Sequence, residues 1–179
     1  MGLEAEEPFA IWITGLPSSG KSTIARALRE QLAARGVNIA VLESDALRQI
    51  LSADSPHYDD AGRDAFYRLM AYIGALLVEH GTPVIFDATA NRRAYRDRAR
   101  AQIARFLEVY VECPLELCMA RDPKGIYRKA REQSSNQVPG LAAPYEPPNA
   151  PDVIVHAGEE SPESAASRII EKLAGKGYI

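Results

Sequence analysis

Gly15-Leu16-Pro17-Ser18-Ser19-Gly20-Lys21-Ser22, followed by Thr23, fits the pattern G-x-x-x-x-G-K-[ST] at every fixed position. The apolar run Phe9-Ala10-Ile11-Trp12-Ile13-Thr14 in front of it reads as a buried strand. Behind it, Ile24, Leu28 and Leu32 fall four apart on one face of a helix opening at Thr23. Gly15 and Gly20 let the backbone turn so that successive N–H groups point inward at an anion, and the helix adds the positive end of its dipole. In such a loop the lysine, Lys21, reaches the terminal phosphates of a nucleoside triphosphate, and the Ser22 hydroxyl ligates Mg²⁺. The predicted nucleotide-binding set is therefore Gly15, Leu16, Pro17, Ser18, Ser19, Gly20, Lys21, Ser22 and Thr23, with Mg²⁺ and ATP as the expected ligands. A Gly/Ser-rich turn capping a helix is the competing reading, and strand, loop, Lys-Ser pair and helix in register speak against it.

Outward from this loop, short apolar runs alternate with helical patterns. Strands are expected at 9–14, 37–42, 83–86 (ending at Asp87), 106–111 and 153–155. Between them lie a long helix carrying Phe66, Leu69, Met70, Ile73, Leu76 and Leu77 at 3–4 spacing, an arginine-rich helix over 91–103, short helices over 114–121 and 126–131, and a closing helix over 161–173 that Ser161 or Ser164 can cap. Residues 53–61 read as a polar loop. The alternation predicts an α/β fold: a three-layer α/β/α sandwich around a five-stranded parallel sheet, of the phosphate-loop NTPase type, joined by right-handed crossovers. One domain over 1–179 is expected. The proline-rich stretch before the last strand reads as part of a lid or flap around 122–151.

Composition narrows the function classes. A net charge of -3 argues against a protein that coats nucleic acid. Two cysteines, Cys113 and Cys118, are too few for a disulfide framework or a zinc cluster, and read as small buried residues. The acidic first residues do not resemble a signal peptide, and no apolar run approaches the ~20 residues that span a bilayer. A reduced, cytoplasmic setting with no membrane partner is the expectation.

In parallel sheets ligands bind at the carboxyl ends of the strands. Asp45, just past the second strand, stands where a carboxylate could take a proton from an acceptor hydroxyl or hold Mg²⁺ through water, although helix capping is an equally ordinary use. Glu43 sits two residues earlier and could be structural. Asp87 could hold metal or cap the next helix. Arg48 and Arg93 lie just past strand ends, where guanidinium groups suit bidentate binding of phosphate, sulfate or carboxylate.

The chain from Phe106-Leu107-Glu108-Val109-Tyr110-Val111 through Arg121-Asp122-Pro123-Lys124-Gly125-Ile126-Tyr127-Arg128-Lys129-Ala130-Arg131 to Pro144-Tyr145-Glu146-Pro147-Pro148 closely resembles the adenylylsulfate (APS) kinase family. The resemblance covers nearly the whole chain. It implies transfer of the ATP γ-phosphoryl group to the 3′-hydroxyl of APS, giving PAPS, with Mg²⁺, by an enzyme that is usually a homodimer. It further implies that Asp45 is catalytic with Lys21. Arg48 and Arg63 would bind substrate, Arg121 would sit beside the nucleotide, and Lys124 with the lid up to Leu141 would close over the nucleotides. The chain departs from the family pattern around the acceptor. Glu43-Ser44-Asp45-Ala46 replaces Asp-Gly-Asp-Asn, Phe66 replaces an Asn, and Thr89-Ala90-Asn91-Arg92-Arg93 replaces Ile-Ser-Pro-Tyr-Arg. Tyr58 and Val138 replace two phenylalanines that sandwich the acceptor's adenine. The expected acceptor-site set is thus Glu43, Arg48, Tyr58, Arg63, Phe66, Thr89, Ala90, Arg93, Lys124, Val138 and Leu141, with Ser22 and Asp45 expected at the metal. Two alternatives stay open on sequence: a kinase of this scaffold acting on another small anionic or nucleotide-like hydroxyl, and a nucleotide-dependent switch. A guanine-specific switch would normally carry Asn-Lys-x-Asp, which is absent.

Overall fold

The apolar strand before the glycine loop becomes the middle of the sheet. In the computed structural model, which describes residues 7–51, 59–132 and 137–179, β1 (Ala10–Gly15) is buried along its whole length. It pairs in parallel with β3 (Val84–Asp87) on one side and β4 (Phe106–Glu112) on the other. Outside these lie β2 (Ala40–Glu43) and β5 (Val153–His156), giving the order β2-β3-β1-β4-β5 with every pairing parallel. A near-continuous apolar β1 is what a strand covered on both faces requires.

Alternate residues of the strands face opposite layers. Ile11 and Ile13 of β1 pack with Ile24, Leu28 and Leu32 of α1 (Lys21–Ala33) and Ile169, Ile170 and Leu173 of α7 (Pro162–Gly175). Ala10 and Trp12 pack with Phe66, Tyr67 and Met70 of α3 (Asp60–Glu79) and Tyr95 and Ala99 of α4 (Arg93–Arg100). The expected three layers are therefore present. Three shorter helices complete the described chain: α2 (Ser44–Leu51), α5 (Leu115–Arg121) and α6 (Ile126–Glu132).

Element boundaries differ from expectation where side chains intervene. The helix α3 opens at Asp60 because Asp59 caps it, its Oδ1 accepting from Gly62 N at 2.8 Å. Arg93 opens α4, since Asn91 is engaged elsewhere, as shown below. Ser161 caps α7 as expected, accepting from Ser164 N at 3.1 Å. Asp45 is not a cap: it lies in the first turn of α2.

Candidate active site

The carboxyl ends of the strands open into one cleft of about 1080 Å³, above the upper end of the range typical of a single small ligand. Its floor is the glycine loop. Gly15 closes β1 where a Cβ would stand 2.6 Å from the Val111 carbonyl oxygen, and Gly20 precedes α1 at φ +108°, a conformation that favours glycine. The chain is thereby turned so that α1 begins with its N–H groups facing the cleft.

Lys21 is buried, and its Nζ donates to the carbonyls of Leu16 at 2.8 Å and Gly15 at 3.1 Å. Burial pushes its ammonium below the ordinary 10.5, while the nearby carboxylates of Asp87 and Asp45 oppose the shift. The Ser19 hydroxyl is buried without a hydrogen-bond partner among the described residues. Ser22 and Thr23 line the cleft at the exposed start of α1. Asp87, buried at the end of β3, lies in register with Glu43 on the neighbouring β2 and with Ile13 on β1. A hydroxyl with one or two carboxylates, completed by substrate phosphates, is the hard oxygen donor set that Mg²⁺ takes in nucleotide sites. The residues present fit that ion.

From the loop the cleft runs two ways. Toward β2 and β3 it is lined by Glu43, Asp45, Arg48, Arg63 and Thr89, with Lys124 and Val138 facing them from the segment after α5. Asp45 and Lys124 meet across the cleft at 2.6 Å, and this bond holds the Lys124 ammonium above its ordinary value. Arg48 lies over the Phe66 ring, 3.8 Å from its centroid. Arg63 donates to Asn91 Oδ1 at 3.2 Å and to the Gln137 carbonyl. The other way, toward the end of β5, the cleft is walled by Val155, Ala157, Gly158 and Pro162, with Arg121 donating to the Ser19 carbonyl at 3.4 Å.

Most of the expected residues converge here, though not all. Phe66 lies beneath Arg48 and supports it rather than lining the cleft. Ala90 is buried, at φ +40°, with its N–H donating to the Tyr67 hydroxyl at 3.0 Å. Arg93 turns away, donating to the Pro147 carbonyl at 3.1 Å, with its Nε 4.0 Å from Glu146. Leu16 and Leu141 pack against the cluster of Cys113, Cys118 and Tyr127 beneath the loop, and Gly15 contributes only its carbonyl to Lys21. Tyr58 lies outside the described residues.

Sequence reading missed the supports. The segment Pro144–Pro147 is strapped over the 88–93 turn: Glu146 N donates to the Asn91 carbonyl at 2.7 Å, and Arg93 N donates to Glu146 Oε2 at 2.8 Å. Buried Arg96 donates to Glu108 Oε1 at 2.7 Å, to the Ala90 carbonyl at 2.6 Å and to the Glu146 carbonyl at 2.8 Å. The Tyr145 hydroxyl lies 3.1 Å from Thr14 Oγ1, and burial raises its pKa. Thr14 Oγ1 in turn donates to the Thr89 carbonyl at 2.6 Å. The wall at Ala157–Pro162 was missed as well, although the carboxyl-end rule, applied to the last strand, points to it.

The family model described as adenylylsulphate kinase matches residues 7–156. An adenylyl-sulfate kinase of Synechococcus sp. (strain JA-3-3Ab) is 37% identical over 169 residues, 94% of this chain and 96% of its own. One from Halothermothrix orenii is 38% identical, covering 94% of this chain and 91% of its own. Among solved structures, the Mycobacterium tuberculosis APS kinase CysC in complex with AMPPNP and APS superposes with a TM-score of 0.87 at 32% identity, over 94% of this chain and 98% of that one.

Proposed function

Because this chain belongs to the adenylylsulphate kinase family, we propose that this cleft holds ATP and adenylylsulfate end to end, with Lys21 on the phosphates and Asp45 on the acceptor hydroxyl. The enzyme is a phosphotransferase that moves the γ-phosphoryl group of ATP to the 3′-hydroxyl of APS, yielding PAPS and ADP. The reading of the site rests on one observation: Lys21, Asp45, Arg48, Arg63 and Lys124 share a cleft at the carboxyl ends of β1, β2 and β3.

The chemistry follows from positions and charge. The triphosphate lies along the glycine loop, where backbone N–H groups and the α1 dipole meet its charge. Lys21 leaves the Leu16 and Gly15 carbonyls for phosphate oxygens, regaining a partner for a desolvated ammonium. The Ser22 hydroxyl and a carboxylate from Asp45 or Asp87 would hold Mg²⁺, which would supply charge neutralisation on the phosphates. The acceptor takes the β2–β3 half, where Arg48 and Arg63 offer planar donors to its anionic groups. Entry there displaces Lys124 from Asp45. The Asp45 carboxylate then accepts the proton of the 3′-hydroxyl as that oxygen bonds to the γ-phosphorus, and the bond to the ADP oxygen breaks. Residues 122–151, carrying Lys124 and Val138, act as the lid that keeps water from the γ-phosphoryl group. Val138 and Tyr58 would flank the acceptor's base.

Assembly and setting complete the reading. The helix α3 leaves Leu69, Tyr72 and Leu76 exposed on one side, and Ile50 and Leu51 of α2 are exposed as well; such apolar exposure supports a homodimer. No helix among the described residues is long and apolar enough to cross a membrane, and the two free buried cysteines suit a reducing, cytoplasmic setting.

The test is initial rates with ATP and APS, against the same assay with other nucleotide and sugar acceptors. Saturable PAPS formation is expected, and Asp45→Asn should lower kcat by ~10²–10⁴ with the KM for ATP nearly unchanged. Turnover with another acceptor and none with APS would overturn the acceptor assignment. An Asp45→Asn enzyme with wild-type kcat would remove the role of Asp45.

A further inference from the structure

Asn91 is nearly fully buried, at 2% exposure, and does not line the cleft, yet both ends of its amide are engaged. Its Nδ2 donates to the Pro144 carbonyl at 2.9 Å and its Oδ1 accepts from Arg63 at 3.2 Å. A carbonyl only accepts and a guanidinium only donates, so these two partners fix which end of the amide faces which. Its backbone carbonyl is held as well, by Glu146 N at 2.7 Å. Asn91 thus joins the foot of the lid at Pro144–Glu146 to an arginine in the acceptor half of the cleft. The same arginine reaches the Gln137 carbonyl on the other limb of the lid segment. Within the 88–93 turn, the Asn91 side chain is the part that reaches Arg63. The turn is itself fixed by Arg96 on the Ala90 carbonyl and by Thr14 on the Thr89 carbonyl.

We infer that Asn91 is a positioning residue for the phosphoryl acceptor: its Oδ1 holds the Arg63 guanidinium in the orientation that receives the acceptor's anionic group, and Pro144 holds Asn91 in turn. This rests on the acceptor reading proposed above. The residue does not touch substrate; it acts through Arg63. A side chain of this size needs one acceptor and one donor to serve both partners, which among similar residues only the amide provides. Asn91 stands where the resembling family segment carries proline. With Arg63 left to sample other rotamers, the acceptor loses a preorganised charge-assisted bond while the ATP half of the cleft keeps its shape.

The experiment is a double-mutant cycle on Asn91 and Arg63 in the full chain, reading KM for APS, KM for ATP, kcat and thermal unfolding. Asn91→Ala should raise the KM for APS by about tenfold or more, the loss typical of a hydrogen bond to a charged group, and leave the KM for ATP within about twofold. Asn91→Asp keeps an oxygen acceptor facing Arg63 but loses the donor for Pro144, and should raise the KM for APS less than Asn91→Ala does. Arg63→Ala should weaken APS binding, and adding Asn91→Ala to it should cost little more, because the pair acts as one unit. The inference is overturned if the two substitutions multiply independently, if Asn91→Asp is as impaired as Asn91→Ala, or if the KM values for ATP and APS rise together. Wild-type enzyme that binds ATP but shows no saturation by APS would instead remove the acceptor reading, and this inference with it.

Discussion

Replacing Arg96 by methionine tests whether the strap over the acceptor turn is held by a buried charge. Arg96 and Glu108 pair at 2.7 Å with side-chain exposures of 1% and 7%. Breaking such a pair from one side costs about 3–5 kcal/mol, because the remaining carboxylate stays desolvated. Here Arg100 keeps its own 2.7 Å bond to Glu108 Oε2, which places the carboxylate loss near the lower end. The carbonyls of Ala90 and Glu146 lose their donor too, the first of them fully buried, and restore part of the difference. The expected loss is about 4 kcal/mol, which for a chain of this size lowers the melting temperature by roughly 10 °C. Guanidinium unfolding with linear extrapolation measures it. Arg100→Met is the control: that arginine is 40% exposed, and its loss should cost about 1 kcal/mol or less. Combining Arg96→Met with Glu108→Leu should recover part of the stability, since no unpaired buried charge remains. If Arg96→Met costs no more than Arg100→Met, the buried pair does not hold the strap and the reasoning fails.

Two further outcomes follow from the site and the sheet. Phosphate binds the ammonium form of Lys21, and burial sets the pKa of that group below 10.5 in the free protein. ATP affinity should therefore fall as pH rises toward 10.5, beginning earlier than for a solvated lysine, and bound phosphate should shift the group back upward. The penalty of burying the ammonium is present below the folded pKa and lifts as pH rises through it, so the stability contributed at this position increases with pH. Titrating ATP affinity by calorimetry between pH 7 and pH 10 (roughly the window below the free-lysine value) checks this, and a Lys21→Met protein with the same pH profile as wild type would refute it. Gly74→Ala should destabilise by about 1–3 kcal/mol even though alanine is the better helix former. Its Cβ would stand 2.1 Å from Phe86 Cζ. Phe86 is fully buried and stacked on Trp12 at 4.5 Å, and has nowhere to go. A more stable Gly74→Ala protein by urea unfolding would contradict that packing.

The parts legible in the sequence were those encoded by neighbours. The glycine loop, the strand before it and the helix after it read directly, because their spacing is set by residues within a few turns of chain. The carboxyl-end rule likewise placed Asp45, Arg48 and Thr89 in the cleft. Arg93 shows where local reading fails. Its position past β3 pointed to the substrate, but Glu146 and Pro147, more than fifty residues on, supply its partners. Asn91 read as the start of a helix, whereas its bond to Pro144 ends the turn outside α4. Phe66 matched a contact position, yet a large ring there serves better as a platform for Arg48. Partners brought together only by the crossovers of the sheet leave no local pattern.

The position of β1 bears on how the protein comes apart. Hydrogen-bonded on both sides and covered on both faces, this strand has no edge from which to fray, so its amides exchange with deuterium only when the whole sheet opens. The glycine loop is rooted there, while Asp45 and Lys124 sit on short, partly exposed pieces at the margin. Partial melting would detach the acceptor's machinery first and leave the anchor of the triphosphate standing until the molecule is lost as a unit.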